Sequence, residues 1–142
     1  MTFQVHSSPI ERHYDGTESL DLDGVGAITV NMGIVTEAAI DPDTNTLYSG
    51  LTAVATNVGW TGPVAVANLV CGLDGSFDLL FDADDPAQVP YDAAGFANGR
   101  SIVLYLSGTS YIIASHINGV AFGNNVGPIN ISWPNGIWKN TI

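Results

Sequence analysis

Ser101-Ile-Val-Leu-Tyr-Leu-Ser-Gly-Thr-Ser-Tyr-Ile-Ile-Ala-Ser-His-Ile117 is the stretch that decides the fold. Two apolar arms, Ile102–Leu106 and Tyr111–Ile117, flank Ser107-Gly108-Thr109-Ser110. The arms are rich in Ile, Val, Leu and Tyr, side chains that suit a pleated, buried surface. Each arm is too short for an independent helix, and a polar linker with a glycine reads as a hairpin turn. The segment is therefore expected to be the central hairpin of an all-β domain.

Downstream, Asn118-Gly119 reads as a turn into Val120-Ala121-Phe122. Ile129, Ile131 and Trp133 then alternate with Asn130 and Ser132, and Pro134-Asn135-Gly136 turns the chain into Ile137-Trp138-Lys139. Upstream, Ile28, Val30, Met32 and Ile34 alternate with Thr29, Asn31 and Gly33, the period of two of a half-buried strand. Phe3–His6, Leu47–Trp60, Val64–Cys71 and Ser76–Asp82 are further expected strands. Ala83–Gly99 reads as irregular, with a helical turn near Asp92–Phe96. Six Asn-Gly or Asp-Gly pairs, beginning at 15, 23, 74, 98, 118 and 135, favour tight turns. The expectation is one domain over residues 1–142, a β-sandwich, jelly roll or β-barrel of about eight to ten short antiparallel strands. Residues 7–16, polar and charged, read as an N-terminal arm or loop.

Charged residues are 12 % of the chain and apolar residues 46 %, with a mean hydropathy of +0.23. Usual soluble domains carry roughly 25 % charge. Burial of part of the surface against other subunits accounts for the deficit, because interface cores lose charged residues. A homo-oligomer is expected. Fourteen acidic residues stand against Arg12, Arg100 and Lys139, for a net charge of −11. Three scattered cations cannot bind a phosphate backbone or an anionic membrane, so neither partner is expected. Cys71 is the single cysteine and reads as a small buried residue. The first residues lack a basic segment followed by an apolar run, and the chain is expected to be made in a cytoplasm.

Chemistry has few candidates. Asp41, Asp43 and Asn45 place oxygens at alternate positions, as calcium loops do, without the glycine and closing glutamate of an EF-hand. They are the candidate metal ligands, with Ca²⁺ the one candidate cation and no other cofactor expected. His6, His13 and His116 show no ligand spacing. Nucleophile elbows, phosphate loops and dinucleotide fingerprints are absent from the sequence, so no catalytic residue is assigned and the chain reads as a non-enzyme. Among the aromatic residues, Tyr14, Trp60, Trp133 and Trp138 are the interface candidates, because amphipathic rings offer large area at low entropy cost.

Few lysines, abundant Gly, Asn and Thr, and Ala-Val-rich strands over the whole chain resemble the small all-β accessory structural proteins of tailed bacteriophages, of the capsid decoration (cement) type. The resemblance is one of composition and layout. It implies a virion protein made in the host cytoplasm, an oligomer with a trimer favoured, and partners such as the major capsid protein. Residues 7–16 and the C-terminal segment 129–142 are then the expected contact elements, adding to a partner's sheet edge. The alternative is a carbohydrate-binding β-sandwich, as in a phage tail tip or a lectin, using the Trp side chains and the acidic loops.

Overall fold

The computed structural model of the chain describes residues 3–6, 28–73, 79–134 and 136–140. Among these residues there are eight strands: β1 (Gln4–Val5), β2 (Val30–Val35), β3 (Val64–Ala65), β4 (Val70–Leu73), β5 (Leu79–Asp82), β6 (Gly99–Leu106), β7 (Ile112–Phe122) and β8 (Trp138–Asn140). One three-residue 3-10 turn, Tyr48–Gly50, is the only described helix. The expected all-β class is observed, as two antiparallel sheets that do not close into a barrel. One has the order β1-β7-β6-β2-β3, the other β4-β5-β8.

The β6–β7 hairpin lies at the centre of the larger sheet. Leu106 N–H bonds to Tyr111 and Ser110 N–H to Leu106, with Ser110 at φ 65° closing the turn. Side chains from β6 alternate between two apolar clusters. Ile102, Leu104 and Leu106 join Phe3, Met32, Ile34, Phe81, Ile131, Trp133 and others, so this cluster takes in residues of both sheets. Val103 and Tyr105 join Val35, Ile40 and Ile112 on the opposite side of the strand. A continuous apolar run is what a strand buried on both faces requires. A bulge between Leu104 and Tyr105 leaves Ile113 opposite no residue, and the adjacent Ile113 and Ala114 share one cluster while Ile112 joins the other.

The half-buried reading of β2 is corrected by the second cluster. Gly33 is buried too, because the ring of Tyr48 lies on it: a Cβ there would meet that ring at 2.5 Å. Tyr48 in turn stacks on Tyr105, centroids 4.0 Å apart and planes 2° from parallel. Residues 47–60 are therefore not the expected strand. They form the 3-10 turn and two isolated bridges, Leu47 to Tyr111 and Val35 to Ala53, while covering the sheet. Val64–Cys71 is likewise divided, β3 going to one sheet and β4 to the other, with Asn68 at φ 53° between them. Asn118-Gly119 is not a hairpin turn. Residues 118–121 stand opposite Arg100 alone as an excursion within β7, where Arg100 Nη1 donates to the Gly119 carbonyl. Cys71 is exposed rather than buried. The arm expected at 7–16 lies outside the described residues.

Both outer strands of the larger sheet are two residues long, and Pro63 precedes β3. Short edges and proline are protections against edge pairing. In the C-terminal segment the described residues are divided between core and the edge of the smaller sheet. Ile131, Trp133 and Ile137 are core, and β8 pairs with β5.

Tyr48 gives a test of the second cluster. Its hydroxyl is buried without a partner. An unsatisfied buried hydroxyl costs about 1–3 kcal/mol, and the ring stack is retained in phenylalanine. Tyr48→Phe is expected to raise stability by about 1 kcal/mol, whereas Gly33→Ala is expected to lower it by roughly 1–3 kcal/mol through overpacking. Denaturant melts of the two variants check both signs.

Candidate interaction site

The acidic loop is used by its own backbone. Asp41 Oδ1 accepts the Asp43 N–H at 3.0 Å and Asn45 Oδ1 accepts the Asp41 N–H at 2.9 Å. These are the bonds of an Asx turn. Among the described residues no three His, Cys, Asp or Glu side chains converge to hold a metal ion. Other carboxylates act in the same way: Glu37 Oε1 accepts Thr52 N–H, Asp82 Oδ1 accepts Ala83 N–H, and Asp85 Oδ1 accepts Trp133 N–H.

One pair with chemical potential was missed by the sequence. His6 Nε2 lies 2.9 Å from Ser115 Oγ, a base beside a hydroxyl, joined across 109 residues by the pairing of β1 with β7. Both residues are buried, His6 at 0 % and Ser115 at 1 % exposure. The bond ties β1 to β7 within the sheet.

The interface candidates divide. Trp60 and Trp133 are interior at 3 % and 2 % exposure, which corrects the expectation that they meet a partner. Trp133 Nε1 donates to the Ala83 carbonyl and its ring meets Phe3 edge-on. Tyr14, and the side chain of Trp138, lie outside the described residues.

What the structure presents to solvent instead is a tip made by three loops, near residues 57–61, 90–96 and 123–127. Asn124, fully buried, ties them together. Its Oδ1 accepts the Phe96 N–H at 3.1 Å and a bond from Asn57 Nδ2 at 3.3 Å. Its Nδ2 donates to Asn57 Oδ1 at 2.9 Å and to the Pro90 carbonyl at 3.0 Å. Its backbone carbonyl accepts the Asp92 N–H. Asn57 Oδ1 also takes the N–H groups of Gly59 and Trp60. Asp92 fixes the neighbouring loops with both oxygens, Oδ2 on Val58 N–H and Oδ1 on Ala94 N–H. The packing is close enough to require glycine at three places. A Cβ on Gly59 would run into the Pro90 carbonyl, one on Gly95 into the Asn124 amide, and one on Gly123 into the Phe96 carbonyl.

Each of these rigid loops carries a large apolar side chain in water. Val58 is 94 % exposed, Val126 84 % and Tyr91 56 %. The tip is almost free of charge. Residues 44–73 and 101–138 contain no Asp, Glu, Lys or Arg, and Asp92 is the one charged residue in the three loops. A cleft of about 190 Å³ beside it, lined by Gly59, Trp60, Thr61 and Val89 among others, is below the roughly 300–1,000 Å³ of small-molecule sites. A second cleft of about 170 Å³, by His116 and Phe122, is smaller still. The tip suits a protein surface better than a small ligand. Turn composition marks these loops in the sequence; which of their apolar residues face water is set by the fold.

Two outcomes are expected here. Asn124→Ala removes a buried hub and is expected to cost roughly 2–4 kcal/mol, read from the denaturation midpoint. His6 supplies the second. Burial lowers its pKa below 6.5, against the opposing pull of Asp41 and Asp43. Its Nδ1 is buried without a partner, so the neutral ring is the form the fold accepts. The unfolded chain then binds more protons below pH 6.5, and this contribution is present above 6.5 and lost as pH falls through the window beneath it. Thermal melts from pH 7 to 5 are expected to show a smaller loss for His6→Gln than for the parent. No protein-family model, no curated protein and no solved structure matches the chain, so the reading of the tip rests on its own residues.

Proposed function

We propose that the chain is a non-enzymatic structural protein that works by contact between subunits, as a virion decoration protein does. In this reading its two sheets are the layers of a sandwich. The observation that carries it is the locked tip: three apolar side chains stand in water on loops tied together by Asn57, Asp92 and Asn124. Isolated exposed apolar residues are ordinary, but a group of them on a preorganised, neutral tip marks an association surface. The use of side chains supports the same reading. Glu37, Asp41, Asp82, Asp84, Asp85 and Asp92 accept backbone N–H groups or a neighbouring amide, and the His6–Ser115 pair is enclosed.

The virion setting comes from the resemblance in composition and layout to capsid decoration proteins. There the function is mechanical. Apolar surface buried at junctions between subunits, including those of the major capsid protein, raises the energy needed to open the shell. For the carbohydrate-binding alternative, Trp60 and Trp133 are enclosed and offer no ring face.

Light scattering on the purified chain tests the proposal. A stable oligomer, a trimer first among the candidates, with the same mass in EDTA and in calcium is the expected result. A monomer at every accessible concentration would overturn it. An oligomer that forms only with calcium would also overturn it and return attention to the acidic loops.

A further inference from the structure

We infer that Asn118 is a site of spontaneous modification in the folded chain, converting to aspartate and isoaspartate ahead of the chain's other Asn-Gly pairs. The inference is independent of the assembly reading above.

The chemistry belongs to the side chain and the peptide that follows it. The Gly119 nitrogen, once it has lost its proton to water, attacks the Asn118 side-chain carbon Cγ. A five-membered succinimide forms, and the side-chain nitrogen leaves as ammonia, taking a proton back from water. A second water then opens the ring at either carbonyl, giving aspartate or isoaspartate, with no change of oxidation state. A following glycine leaves the attacking nitrogen unshielded and the backbone free to turn into the ring. Asn-Gly occurs at 98, 118 and 135. The fold separates the three.

Gly99 is buried and paired with Phe122 at the start of β6, where an added Cβ would meet the Phe122 ring at 3.0 Å and Ile34 at 3.1 Å. The Gly136 N–H donates to the Trp133 carbonyl at 2.9 Å, so the nitrogen that must attack is already engaged. Asn118-Gly119 lies on the β7 excursion. Residues 118–121 stand opposite Arg100 alone, between the pairs Ser101–Ile117 and Gly99–Phe122. Ring closure there breaks no register pair. Gly119 is exposed, with open space where a side chain would be. Asn118 Nδ2 donates to the Val120 carbonyl at 2.7 Å, which holds the side chain alongside the Gly119 peptide. Segments with few ladder bonds and exposed backbone open at low free-energy cost, and this reaction needs such an opening.

The products fit the same place. Isoaspartate lengthens the main chain by a methylene, and an excursion already out of register absorbs it. The new carboxylate appears where Arg100 Nη1 reaches the Gly119 carbonyl at 3.4 Å, so a cation is at hand for it.

The test follows all three pairs in the full chain, incubated native and in denaturant at neutral and mildly alkaline pH. Cleavage after Arg100 and Lys139 puts Asn98 on one peptide and Asn118 with Asn135 on another, and fragment masses separate the last two. In the native chain Asn118 is expected to convert at least about fivefold faster than Asn98 or Asn135, and faster at the higher pH. In denaturant the three are expected to agree within about threefold, because the local chemistry is shared. A native Asn118 no faster than the other two would overturn the inference. The same preference for Asn118 in denaturant would overturn it too, since the fold would then not be its cause. Gly119→Ala, at a position with room for the methyl, is expected to slow conversion roughly tenfold at an unchanged melting temperature. Unchanged conversion in that variant would overturn the assignment of the Gly119 nitrogen. The native-to-denatured comparison needs no variant and stands if Gly119→Ala melts early.

Discussion

Strand β6 is buried on both faces in a chain whose only described helix is three residues long. Most sheets covered on both sides are covered by helices. Here one side of β6 is met by the cluster that includes residues of the smaller sheet, and the other by an irregular segment, residues 36–53. Loops carry backbone polar groups that helices would satisfy internally, so a loop laid on a sheet must find partners for them. It does so along the end of β2, where Thr36 N–H bonds to Thr52 and Val54 N–H bonds to Ile34. Glu37 adds a carboxylate oxygen for the Thr52 N–H, and Ser101 Oγ donates to the Glu37 carbonyl.

This covering is imperfect in a consistent way. The three described buried side-chain atoms without partners are His6 Nδ1, Glu37 Oε2 and Tyr48 Oη. Burial, with Tyr105 and Glu37 nearby, pushes the Tyr48 phenol up to about 12. The Tyr48 ring is there for its shape. Gly33 leaves a hole in the pleated surface, and the flat ring fills it while stacking on Tyr105. A phenylalanine would fill the same space without an orphaned hydroxyl. The stacking and apolar coverage outweigh that one cost, since a large buried ring contributes more than the roughly 1–3 kcal/mol at stake.

The hairpin, the β class and the turn at 41–45 were legible because each is written locally. Alternation, an apolar run and turn residues need no distant partner to be read. The failures share the opposite property. Residues 47–60 have the composition of a strand, but whether such a segment pairs or lies across a face depends on the hole at Gly33. Val64–Cys71 is one apolar run, and only the third dimension divides it between two sheets. Asn118-Gly119 is a strong turn signal overridden because the ladder resumes at Gly99 and Phe122. For the tip, the tryptophans were the natural sequence candidates by size. Burial reversed the order for two of them: Trp60 and Trp133 became core, and Val58 and Val126 were left in water beside Tyr91. Nothing in the local pattern distinguishes Val58 from Val54, yet one is nearly fully exposed and the other is 3 % exposed.

The same physics explains why the tip is so heavily bonded. Apolar side chains on a flexible loop would collapse onto the nearest apolar surface. Keeping Val58 and Val126 in water requires a backbone that cannot follow them inward. Asn124 provides this because one amide offers two donors and two acceptor lone pairs, enough to engage three loops at once. Its orientation is dictated by those partners. The Phe96 N–H must face oxygen and the Pro90 carbonyl must face nitrogen. An aspartate of the same shape would set a carboxylate against that carbonyl, and a leucine would leave the Phe96 N–H without an acceptor. The chain thus places a fully satisfied polar hub directly beneath an unsatisfied apolar surface, and the rigidity of the first keeps the second available for contact.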